Sequence, residues 1–272
     1  MDPKRQSDAH EEPEGPFRAE HLTPGRYELV NGHPAYQAAT GGDGASRIVA
    51  GVQALASDPD AVETGVDPGY ILGEKTVRAP DIAVGNVPDA FGFIEGAPRL
   101  AVEYAGEHQD EVRLQDKIRQ FLARGTELVW VVRLIGPRRV EVYQRNKAVT
   151  LFGPGQSLLA PGILREPVPV EAMFDTQAAQ VTALRNLLVR EGYSSLEEVK
   201  EEGRDEGREE VYASLRRAIL DRLDGRRIER SEAFRSQLER VIDPLILAET
   251  LVRTSECASE SDLVDGLSAR RT

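Results

Sequence analysis

The sequence is short of several things, and each shortage excludes something. It has one cysteine, Cys257, so no internal disulfide and no Cys-based zinc cluster can form, and a reducing cytoplasm is the expected compartment. No apolar run approaches the length of a membrane span, and the first residues lack the apolar stretch of a signal peptide. Its four histidines, His10, His21, His33 and His108, show no metal-ligand spacing such as HExxH. Positive charge is also in deficit: 34 Lys and Arg face 46 Asp and Glu, a formal net charge of −12. That excludes a bulk electrostatic grip on nucleic acid, though not a local basic groove.

What is present suffices for a sizeable core. With 272 residues, 40% of them hydrophobic, the chain has room for one good-sized domain plus additional material. Residues 1–25 are polar, acidic and Pro-bearing, which reads as a disordered leader. From Arg26 the texture changes. "RYELV" and "AYQAA" flank "NGHP", and Asn31-Gly32 between two strand-like runs predicts a hairpin, because both central positions of a primed turn need positive φ. "GASRIVAGVQALA" then spaces Ile48, Val52 and Leu55 as a helix does. "YILGEKTV" and "PDIAVGNV" each read as a strand, followed by "RLAVEYAG". "DEVRLQDKIRQFLARG" places Leu114, Ile118, Phe121 and Leu122 on one helical face with Gly125 as its stop. "ELVWVVRL" and "RRVEVYQR" predict a second hairpin turning at Gly136-Pro137. Hairpin, helix, strands, helix and hairpin in that order describe an α/β domain, a mixed sheet core flanked by helices, over 26–174.

Beyond Asp175 the strand texture ends. Residues 175–212 read as a helical, charged linker in which Glu201 and Arg204, like Asp205 and Arg208, stand three apart with opposite sign. Residues 213–272 supply amphipathic helices for a small module, a C-terminal helical extension of the α/β domain.

Two strand carboxylates carry the chemistry. Glu103 interrupts the apolar run Leu100-Ala101-Val102, and an uncompensated carboxylate in a core strand costs several kcal/mol, roughly. Asp81 follows Pro80 at the head of the preceding strand, where proline suits a sheet edge facing a cleft. If the two strands are neighbours, these acids converge on one divalent cation, and oxygen ligands with retained waters suit Mg²⁺ or Mn²⁺. Lys117, between Leu114 and Phe121, borders the apolar face of its helix and can bring its ammonium to the pair. Two acids, a metal and a lysine make up a minimal site for phosphodiester hydrolysis.

"RYELVNG", "RAPDIAV", "LAVEYAG", "KIRQFLARGTELVWVV" and "VEVYQ", in this order and at these intervals, resemble the Uma-two family of endonucleases in the PD-(D/E)xK restriction-endonuclease-like superfamily. The resemblance covers roughly Arg26 to Phe174. It implies a restriction-endonuclease-like fold and Mg²⁺-dependent DNA cleavage, with homodimers an option for cutting both strands. It maps Asp81 and Glu103 onto the superfamily acids. The motif lysine should stand two residues after Glu103, where this chain has Ala105; Lys117, four before Phe121, matches the Uma-two pattern in which the lysine lies on the following helix. Glu28 matches a recurring glutamate that can ligate metal or bind the lysine. The chain departs from the pattern in three places: no histidine in "TGGDGASR", "AGEHQ" in place of a Ser-Pro turn, and Arg133 where an aspartate is common.

Each residue also has a plainer reading. Glu103 and Lys117 can form a structural pair without metal, and the chain would then be an inactive binding or assembly module working through its C-terminal helices. Glu28 can pair with Arg26. His108 reads as a surface histidine, Trp130 as core, and Arg138-Arg139 as a solvated hairpin tip.

Overall fold

In the computed structural model, residues 13–107 and 110–268 are described. The Asn31-Gly32 signal is realised: both hold positive φ, 48° and 79°, and β1 (Tyr27–Val30) pairs antiparallel with β2 (His33–Tyr36). There follow α1 (Gly42–Ala56), β3 (Thr64–Val66), β4 (Tyr70–Gly73), β5 (Thr76–Arg78), β6 (Ile82–Val84), β7 (Ile94–Glu95) and β8 (Leu100–Ala105). Then come α2 (Glu111–Ala123), β9 (Leu128–Arg133), β10 (Arg139–Tyr143), β11 (Thr150–Phe152), β12 (Ser157–Leu158), β13 (Val168–Pro169) and α3 (Thr176–Arg190).

"YILGEKTV", expected as one strand, is two. The chain reverses at Glu74-Lys75, and β4 and β5 pair antiparallel across a register shift. The turn carbonyls are used at long range: Glu74 accepts the Ala19 N–H and Lys75 the Gly32 N–H, both at 2.8 Å. The leader expected over 1–25 is described from residue 13 onward; most of residues 13–25 are exposed, while Gly15 and Ala19 are buried. Gly15 donates to the Asn31 carbonyl at 2.8 Å, an approach so close that a Cβ at Gly15 would lie 2.2 Å from the Gly32 oxygen.

Five strands form a sheet in the order β2-β1-β5-β4-β7, and six form a second in the order β11-β10-β9-β8-β6-β3. Among the segments that cross from one sheet to the other are Asp67-Pro68-Gly69, between β3 and β4, and Ala79-Pro80-Asp81, between β5 and β6. In the larger sheet β8 and β9 run parallel with α2 as their crossover, and Ile82 of β6 faces Val102 of β8. Alternation along these strands makes two cores. Leu100, Val102, Trp130 and Val132 pack with Ala50, Ala54 and Leu55 of α1. Ala101, Ala105, Val129 and Val131 pack with Leu114, Ile118 and Phe121 of α2. Gly125 ends α2 at φ 105°, as a left-handed helix stop does.

The first compact unit extends to Ser194. α3, read from the sequence together with the charged stretch after it, belongs to this unit because it closes the end of α1. Asn186 donates to the Ala54 carbonyl and the Ser57 hydroxyl, and Arg190 to the carbonyls of Ser57 and Asp58. The second unit, residues 195–272, contains α4 (Leu196–Gly225), α5 (Glu232–Glu239), α6 (Pro244–Arg253) and α7 (Ser261–Ser268). Its own core includes Ile219, Leu223, Phe234, Leu238 and Leu247. The run "KEEGRDEGREE" lies within α4 as an exposed stretch of helix. Among the described residues no helix is long and apolar enough to cross a membrane.

Candidate active site at the seam between the sheets

Antiparallel pairing of Ile82 with Val102 and of Ala83 with Ala101 brings Asp81 opposite Glu103. Both acids share the face of Ala83 and Ala101, which is the face α2 covers. From α2, Lys117 reaches down between its apolar neighbours and meets four oxygens on three residues. Its Nζ donates to the Ala79 carbonyl at 2.7 Å, lies 2.8 and 3.0 Å from the two Glu103 carboxylate oxygens, and is 3.1 Å from Glu28 Oε1. An ammonium has three hydrogens, so all of its donors face protein. Asp81 Oδ2 accepts the Tyr104 N–H at 2.6 Å.

The structure therefore brings together Asp81, Glu103, Lys117 and Glu28. Glu28 comes from the smaller sheet, and its partners are Arg78 and Lys117, not Arg26. Arg78 Nη1 donates to Glu28 Oε2 at 2.9 Å and the Ala79 N–H to Oε1 at 3.0 Å. Arg78 is itself fixed by Gln120 and Asp116 of α2.

The electrostatics divide these acids. Burial alone would raise the Glu28 carboxyl, but Lys117 and Arg78 outweigh it and hold the group below the usual glutamate range. Burial pushes Asp81 up, and neither Lys117 nor the Tyr104 N–H fully offsets it. Burial drives Glu103 to about 8; Lys117 works against this while Asp81 and Glu28 add to it. Burial alone would lower Lys117, but Glu103, Glu28 and Asp81 hold it above the ordinary lysine range. Glu103 Oε1 has the ammonium at 2.8 Å as its one neighbour of opposite charge. A buried carboxylate beside a second acid, both raised by burial, suits a cation. Among the described residues no three His, Cys, Asp or Glu side chains close around a metal position; two carboxylates with retained water is the sparse ligation typical of Mg²⁺.

Two residues of this cluster escape the sequence reading. Arg78 directly precedes "APD", and asking which cation compensates Glu28 would have pointed to it. Asp67 carries no signal beyond a turn-like "VDPG". It sits on the other crossing segment at φ 53°, its N–H donates to the Asp81 carbonyl at 3.2 Å, and burial together with the charge of Asp81 raises its carboxyl.

The remaining candidates lie elsewhere. His108 and His10 fall outside the described residues. Trp130 is fully buried, hence core. Arg133 joins a separate network: its guanidinium bonds Glu111 and Glu141, and Glu141 also accepts from Arg139 Nε at 3.2 Å and the Tyr143 hydroxyl at 3.0 Å.

Comparison with known proteins adds to this geometry. The Uma2 family model, described as "Putative restriction endonuclease", matches residues 17–169, more than half of the chain. No curated protein matches. Among solved structures, the crystal structure of a putative nuclease belonging to DUF820 from Anabaena variabilis ATCC 29413 superimposes with a TM-score of 0.52 at 16% identity, covering 60% of this chain and 99% of that one. At that identity the likeness concerns the fold, a nuclease fold.

Proposed function

Because the chain belongs to the Uma2 family, described as "Putative restriction endonuclease", we propose that it is a divalent-metal-dependent endonuclease hydrolysing DNA phosphodiester bonds at the Asp81–Glu103 pair. The single observation that carries this reading is the under-compensated Glu103: it is buried opposite Asp81 and pushed to about 8, although a lysine lies beside it. A purely structural pair would gain from neutralising that acid fully.

Asp81 and Glu103 would hold Mg²⁺ or Mn²⁺, which supplies charge to the phosphoryl oxygens and lowers the pKa of a water. The Tyr104 N–H fixes the Asp81 carboxylate at one oxygen and leaves the other free to ligate. Arg78 and the Ala79 N–H fix Glu28, which braces Lys117 and keeps it charged. All three ammonium hydrogens face protein oxygens, so orienting the attacking water requires one contact to open; Glu103, the acid with the weakest claim on its proton-free form, is the contact to yield.

A second reading, an inactive nuclease-fold module acting through its C-terminal helices, draws on the compact helical unit with a core of its own. One experiment separates the two. Plasmid nicking and oligonucleotide cleavage are followed with Mg²⁺, Mn²⁺ or EDTA for the wild type, Asp81→Ala and Lys117→Ala, beside melting curves. The expected outcome is metal-dependent cleavage reduced about 100-fold or more by either substitution, and a metal-induced rise in melting temperature that Asp81→Ala removes. Absence of both cleavage and the melting shift in the wild type would select the binding module.

A further inference from the structure

Three acids stand on one rung of the larger sheet. In the register of β3 against β6, Gly65 faces Ala83 and Val66 faces Ile82, so the next residue, Asp67, comes opposite Asp81, as Asp81 comes opposite Glu103 on the other side. The Asp67 N–H donates to the Asp81 carbonyl at 3.2 Å, which carries the pairing one step past the strand ends. Residues opposed on neighbouring strands lie about 5 Å apart at Cα, and the Asp67 carboxyl is close enough to Asp81, Lys117 and Glu28 to feel the charge of each. β3 is an edge strand of its sheet and Asp67 is exposed, whereas Glu103 is buried. The row of acids therefore runs from solvent into the seam.

A Mg²⁺ or Mn²⁺ ion at Asp81 and Glu103 would retain water, and the hydrogens of that water need acceptors. Most oxygens of the cluster are taken. Glu28 Oε2 accepts from Arg78, Glu28 Oε1 accepts the Ala79 N–H and lies against the Lys117 ammonium, and the Ala79 carbonyl accepts from Lys117. Lys117 itself only donates. Asp67 differs, for among the described residues its carboxylate accepts no hydrogen bond and forms no ion pair. Nor does it complete a three-acid cage, since among the described residues no such cage closes around one metal position. What remains open to it is contact through a water.

We propose that Asp67 is a positioning residue of the site, accepting hydrogen bonds from water retained by a cation at Asp81 and Glu103. The proposal rests on the cation pair of the nuclease reading and extends it to a residue on the other crossing segment. The test follows the melting temperature of the full chain against MnCl₂, beside plasmid nicking, for the wild type, Asp67→Gly, Asp67→Asn, Asp81→Ala and Glu127→Gln. Asp67 holds φ at 53°, a conformation that Gly and Asn both adopt readily, so in EDTA neither variant should melt below the wild type. The Mn²⁺ concentration needed for a given rise in melting temperature should increase about 10-fold in Asp67→Gly. Asp67→Asn, which keeps an acceptor oxygen without the charge, should fall between Asp67→Gly and the wild type. Glu127→Gln removes an acid four residues along the chain from Val131, the partner of Glu103 on β9, and should change nothing.

An unchanged Mn²⁺ requirement in both Asp67 variants, with the rise abolished in Asp81→Ala, overturns the role of Asp67 and leaves the nuclease reading standing. Equal displacement in Asp67→Gly and Asp67→Asn reduces Asp67 to a distant charge and overturns the water contact, as does complete loss of the rise, which would make it a direct ligand. A wild type with the rise but no nicking removes the nuclease reading while the same comparison still decides Asp67. A wild type with neither removes both.

Discussion

Glu103 and Glu141 occupy one rung of the larger sheet. Both face Val131 across the strand between them, on the side covered by α2, and each is 7% exposed. Their surroundings are opposite. Glu141 accepts from Arg133, Arg139 and Tyr143, and although its partial burial would raise it, these partners hold it below the usual glutamate range. Glu103 has one lysine, shared with Glu28, and faces Asp81; it is driven up to about 8. Burial alone therefore does not mark a functional acid. The balance of cations around it does, and an acid left under-compensated within hydrogen-bonding distance of a lysine is where a site should be sought.

The largest test of this contrast is to remove the lysine. Lys117→Ala leaves Glu28, Asp81 and Glu103 facing only Arg78, and breaking a buried pair of this kind costs about 3–5 kcal/mol, to be read from urea denaturation in EDTA. A loss under about 1 kcal/mol, the value of a surface pair, would show that the seam is far wetter than its burial suggests.

Next in size is a difference of sign. Glu141→Gln leaves two arginines short of their shared carboxylate and should destabilise by about 1–3 kcal/mol. Glu103→Gln replaces a carboxyl that is mostly protonated below about pH 8 with a neutral amide and should leave the metal-free protein equally or more stable. With Mg²⁺ at 100 times its dissociation constant the wild type should gain about 2.7 kcal/mol; Glu141→Gln should retain that gain and Glu103→Gln lose it. Equal behaviour of the two glutamine variants would dissolve the comparison.

The smallest effect is in pH. Glu103 has a folded pKa above its unfolded one, so its contribution to stability is full below about 4.3 and is lost as pH rises through about 8. Glu141 is lowered, so its contribution is present above that unfolded value and is lost as pH falls through its folded pKa. Melting temperatures of the wild type minus each glutamine variant, taken in EDTA from pH 3 to 9, should slope in opposite directions in these two windows.

What could be read from the sequence was local. Asn31-Gly32 carries its own turn geometry, the Leu114-Ile118-Phe121 spacing carries the face of α2, and Glu103 betrays itself by standing in an apolar run. What escaped was decided by distant partners. The reversal at Glu74-Lys75 has its carbonyls taken by Ala19 and Gly32, residues far away in the chain, and Glu74-Lys75 is no turn pair of the Asn-Gly kind. Arg78 and Asp67 enter the seam only because two segments cross between sheets, which no periodicity encodes. The end of the first unit at Ser194 depends on Asn186 and Arg190 reaching the end of α1, contacts invisible in a helix whose sequence also suits a linker.

The registers of β8 against β6 and β9 have a consequence for how such a site can be inherited. Side chains alternate along a strand, so a one-residue slip exchanges its faces. A single-codon insertion between Leu100 and Glu103 would turn the acid toward Trp130 and the α1 core and present a different side chain to Lys117, with every candidate site residue still spelled in the gene. Insertions between the strands escape this penalty wherever the pairing is preserved. Descent can thus rewrite the loops around this seam freely while the parity of one six-residue strand must be copied without error.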